Sequence, residues 1–70
     1  MRKFIVEIGG LIPFKTTAKN PRAVVNRYVA EPDTVAIIRE PASDTGRLLL
    51  WRSDRTGLTE RIGWIMEVNE

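Results

Sequence analysis

The 70-residue chain contains no cysteine and no histidine. Without cysteine there is no disulfide framework and no thiolate zinc site. Without histidine the commonest general base and the commonest metal ligand are lost together, so neither a metal nor a cofactor is expected. No apolar stretch approaches the ~18 residues that a membrane-spanning helix requires. The opening MRKFIVEIGGLIPF has the basic start of a short signal segment, but Glu7 interrupts its apolar run and Gly9-Gly10 interrupts it again. A cytoplasmic chain without membrane partners is the expectation. Blocks of like charge are missing too. The eleven basic and nine acidic groups are interleaved, as in Arg39-Glu40, Asp54-Arg55 and Glu60-Arg61, which reads as a mixed solvated surface.

What remains is ordinary for a folded chain: 43% hydrophobic and 29% charged residues argue against disorder. The length allows one domain, residues 1–70. Lys3 to Ile8 is rich in β-branched and aromatic residues and predicts a strand. Gly9-Gly10 suits a two-residue hairpin turn, since both central positions of a type I′ turn take positive φ. A second strand is expected over about residues 11–17, with Pro13 marking an edge or a bulge. Asn20-Pro21 is a helix start, the first as cap and the second at the first helical position. Val24, Val25, Tyr28 and Val29 make one apolar stripe, and Pro32 stops the helix at about Glu31. DTVAIIRE is apolar on both faces and implies a central strand. PASDTG, residues 41–46, is a loop of turn formers. Two more strands follow, over about 47–53 and 59–68. The expected fold is α+β, in the order β-β-α-β-β-β, an antiparallel-rich sheet with one helix on one face.

The turn DRTG sets which residues share a face. A two-residue turn at Thr56-Gly57 places Arg52 opposite Arg61, and like charges directly opposed are unfavourable. A three-residue loop, Arg55-Thr56-Gly57, with a glycine bulge places Arg52 opposite Glu60 and is preferred. It pairs Leu50 with Ile62 and Leu48 with Trp64. Leu48, Leu50, Ile62, Trp64, Met66 and Val68 then meet the helix. Arg47, Leu49, Trp51, Arg61, Gly63 and Ile65 face away, with Arg61 placed to stack on the Trp51 ring and Gly63 leaving room for it.

That second face raises the functional question. Five strands span roughly 20–24 Å, whereas one helix is about 10 Å across. A sheet that wide, apolar on both faces, exceeds what its own helix covers. Three solutions exist: the sheet closes into a barrel, a second copy covers the face, or a different protein does. Arg47, Leu49, Trp51, Arg61 and Ile65 are the candidate partner-binding residues, Trp and Arg being the types most enriched at binding hot spots.

No catalytic constellation is present. There is no nucleophile with a base, and the glycines at 9, 10, 46, 57 and 63 form no phosphate-binding pattern. Asp33, Asp44 and Asp54 sit at element ends, where capping and turn roles account for them, and Ser43 and Ser53 lie in or beside turns. A non-enzymatic role is therefore expected. The alternative is a nucleic-acid surface built from Lys15, Lys19, Arg22 and Arg39 together with the Trp/Arg sheet face.

The segment IPFKTTAKNPRAVVNRYVAEPDTVAIIREP runs strand, cap, helix, strand and proline. In this rhythm it resembles small phage proteins that bind and inhibit a bacterial host's RNA polymerase, and also the strand–helix unit of some small antitoxins. The likeness covers about 30 of the 70 residues, and the two strands that follow depart from the phage pattern. The resemblance implies a phage or mobile-element protein that acts in the host cytoplasm by binding itself or a larger host protein.

Overall fold

The structure, a computed structural model, describes residues 1–41 and 46–69. The centre of the expected 41–46 loop, with Ser43 and Asp44, lies outside the described residues. The elements are β1 (Arg2–Ile8), β2 (Phe14–Ala18), α1 (Pro21–Tyr28), a 3-10 turn (Pro32–Thr34), β3 (Val35–Arg39), β4 (Leu48–Asp54) and β5 (Gly57–Glu67). All the strands lie in one antiparallel sheet of order β2-β1-β5-β4-β3. The fold is α+β with five strands and one α-helix, as the sequence indicates.

Local chemistry sets the element ends. Asn20 caps α1 as expected: its side-chain oxygen accepts from the Ala23 N–H at 2.9 Å, and Pro21 opens the helix. The helix closes earlier than the sequence suggests, after eight residues at Tyr28. Val29 is already extended, and Glu31 takes a left-handed conformation at φ 51° just before Pro32. Pro32 disfavours helical geometry at the residue before it. The Arg52 guanidinium holds the exit by donating to the Ala30 and Glu31 carbonyls and to Thr34 Oγ1.

Gly9 and Gly10 do adopt positive φ, 66° and 73°, and the Leu11 N–H donates to the Ile8 carbonyl across them. The expected turn therefore forms, but the second strand does not resume at Leu11. Leu11 and Ile12 are 74% and 88% exposed, and pairing restarts at Phe14 opposite Val6. Pro13, which cannot donate to the ladder, sits in this excursion rather than within a strand.

β3 is an edge strand, not a central one. Its two-sided apolarity describes what lies above and below it: Val35 is buried toward the helix, while Ala36 and Ile38 sit beside Trp51 and Leu49. Strand neighbours in the plane leave no such mark on a sequence.

The core fills the space between α1 and one face of the sheet. Phe4, Val6, Ala18, Val24, Val25, Val35, Leu50 and Ile65 are at most 3% exposed. The helix backbone lies nearest the two edge strands, β2 and β3. Two helix arginines tie it to them: Arg27 donates to the Thr17 carbonyl and Arg22 to the Val35 carbonyl. The sheet edges are not paired to each other, so the strands do not close a barrel.

Candidate functional site: the outer face of the sheet

The β4–β5 register decides what this face carries. Arg52 stands opposite Glu60 and Trp51 opposite Arg61, as the charge argument requires. The route differs from the expected three-residue loop. Asp54 pairs with Gly57 around a two-residue turn, and Thr59 is then left over as a bulge. The Asp54 carboxylate fixes the turn by accepting from both the N–H and the hydroxyl of Thr56, bonds that hold its pKa below the ordinary value.

A second bulge corrects the sequence reading. Ile62 is left over, so Leu50 pairs with Gly63 and Leu48 with Ile65, instead of Ile62 and Trp64. Because side chains alternate strictly along a strand, one extra residue exchanges the faces of everything beyond it. Ile65 is 0% exposed in the core, and Trp64 and Met66 turn outward. Ile62 packs against the core from the bulge. Gly63 does not make room for Trp51. A Cβ there would lie 2.0 Å from the Glu7 carbonyl oxygen, so its role is to let the β1 backbone approach.

The outer face can now be read across the strands. One row runs Ile38, Leu49, Trp64, Glu7; a second runs Ala36, Trp51, Arg61; a third runs Met66, Ile5, Lys15. The helix lies on the other side, and no described element covers these rows. Ile5, Ile38, Leu49, Trp51, Trp64 and Met66 are neither buried nor fully exposed.

Trp64 is held from two directions. Its indole N–H donates to Glu7 Oε2, and the Arg47 guanidinium lies 5.5 Å from its ring centroid. Arg47 is fixed in turn by a two-pronged ion pair with Glu40, at 2.7 and 2.8 Å. The guanidinium hydrogen bonds hold the Glu40 carboxyl below its ordinary pKa and push Arg47 up. The stacking expected between Arg61 and Trp51 occurs instead at this neighbouring pair. Among the described residues the Trp51 ring has no cation over it.

Of the five candidate partner-binding residues, Arg47, Leu49, Trp51 and Arg61 share the outer face, and Ile65 does not. Trp64, Met66, Ile5 and Ile38 join them. The signal for Trp64 and Met66 was Gly63 itself, since a glycine inside a strand marks a bulge or a close backbone approach. The alternative nucleic-acid set does not converge. Lys15 and Arg39 lie on opposite edge strands, Lys19 follows β2, and the Arg22 guanidinium is committed to the Pro32 and Val35 carbonyls.

Among the described residues no three acidic side chains gather as a metal site, and no helix is long and apolar enough to cross a membrane. Comparison with protein-family models, with curated proteins and with solved structures returns no match.

Proposed function

We propose that this chain is a non-catalytic protein-binding module that docks a larger protein on the outer face of its sheet. The observation that carries the reading is the pair of rows around Leu49, Trp51 and Trp64, largely apolar and left uncovered by the described residues, whose one α-helix is committed to the opposite face. Trp64 arrives at a partner already fixed by Glu7 and Arg47, so little side-chain freedom is lost on binding. Trp51 offers a ring and a neighbouring arginine, a pairing typical of interface anchors. The layout likeness to phage proteins that bind host RNA polymerase supports a host protein as the partner and the host cytoplasm as the place.

Capture from bacterial lysate tests the reading. The wild-type chain is expected to retain one host protein. A helix-side control, Asn26→Arg, should retain it equally. Leu49→Arg should weaken retention by about thirtyfold or more, the effect of losing a hot-spot contact. Equal retention by Leu49→Arg would remove the outer face from the account.

A further inference from the structure

Charge on the outer face narrows the chemistry of its occupant, an inference that rests on the docking reading above. Among the described residues, Lys3, Lys15, Arg47 and Arg61 point to this face, against two acids, Glu7 and Glu40. Among the described residues the face therefore carries twice as many basic as acidic side chains, a bias toward the positive sign that the whole chain shares with its eleven basic against nine acidic groups. Both acids are already engaged, Glu7 by the Trp64 indole and Glu40 by Arg47. Lys15 and Arg61 make no salt bridge among the described residues. They flank the apolar rows from two sides, Lys15 beside Ile5 on the β2 edge and Arg61 opposite Trp51.

We infer that the face takes an acidic protein segment, one with apolar side chains at its centre and carboxylates on its flanks. An apolar middle ringed by one sign of charge selects the opposite sign in its partner and speeds encounter with it. A second copy is disfavoured, because a two-fold pairing of this face sets like charge against like. A single-stranded nucleic acid is disfavoured for a different reason. Among the described residues of this face Trp51 is the one open ring: the Trp64 ring already carries Arg47, and Leu49, Met66, Ile5 and Ile38 are aliphatic, whereas a strand of bases stacks on successive open rings.

The test is selection of peptides from a random displayed library on the intact chain. Enriched peptides should combine apolar residues with an excess of Asp and Glu. The double variant Lys15→Glu with Arg61→Glu should bind a selected peptide about tenfold more weakly, and added salt should narrow that gap. Leu49→Arg should abolish binding. Urea melts of each variant confirm that the fold survives. Peptides that need Leu49 but show no acidic excess overturn the charge inference and leave the docking reading standing. Enrichment indifferent to Leu49→Arg, or no enrichment at all, overturns both. Sedimentation of the free chain as a dimer that Leu49→Arg dissociates assigns the face to a second copy. Binding of oligo(dT) that Trp51→Ala removes assigns it to nucleic acid. Either result overturns the inference.

Discussion

Adding a single methyl group at Gly63 is expected to cost about 3 kcal/mol or more, from overpacking against an unyielding neighbour. The new Cβ would lie 2.0 Å from the Glu7 carbonyl oxygen and 3.1 Å from Ile8 Cα. Both are backbone atoms of β1, and the strand is held on its other side by β2, so neither can swing aside as a side-chain tip could. A 70-residue domain has only about 3.5–10 kcal/mol to lose. Gly63→Ala should therefore show a large fall in the urea midpoint or fail to fold. Gly9→Ala and Gly10→Ala make a useful contrast. Nothing lies within 4 Å of a Cβ at either position, and only the left-handed backbone is strained, at about 1–2 kcal/mol each. A Gly63→Ala chain within about 0.5 kcal/mol of wild type, the range of a neutral surface change, would place the bulge and the β1–β5 contact elsewhere.

The adjacent pair Leu49 and Leu50 carries the second large effect. Leu50 is 0% exposed among Val6, Val25 and Ile65 in the core cluster, and Leu50→Ala should cost about 2–5 kcal/mol through lost burial and the cavity left behind. Leu49 points to the outer face between Ile38 and Trp64, and Leu49→Ala should cost about 1 kcal/mol, since only part of its surface is removed from water. Two identical truncations one residue apart thus separate by a factor of a few in chemical denaturation. Equal costs, or a reversed order, would mean that β4 presents its other face to the helix. The same pair divides stability from binding: Leu49→Ala is expected to weaken the partner while leaving the melt nearly intact.

Much of this fold is legible in the residues because its signals are local. Asn20 and Pro21 announce the helix, Gly9-Gly10 announces a turn, and the charges of Arg52, Arg61 and Glu60 select the register at the end of the hairpin. What was not legible depends on contacts made at a distance. Gly63 reads as a gap beside Trp51 until the backbone of β1 is placed against it, and only then does the Ile62 bulge follow, with Ile65 moving inward and Trp64 outward. Leu11 to Pro13 read as strand by composition, yet pairing with β1 begins only at Phe14. β3 read as central because Ile37 and Ile38 are apolar on both faces, although both faces of an edge strand can be apolar when each lies over or beside other apolar groups. Three of the eight arginines were also out of reach. Arg22, Arg27 and Arg52 tie backbone carbonyls of the helix exit and sheet edges, roles that a residue type cannot disclose.

The most direct measurement is an NMR titration of the labelled chain with a peptide selected on it, followed at backbone amides and at the two indole N–H signals. Docking on the outer face predicts the largest shifts at Trp51, Trp64, Leu49 and Met66, with Ala23 and Asn26 of α1 unmoved. Shifts concentrated on α1 or on the exposed Leu11-Ile12 turn, with both indole signals still, would contradict it.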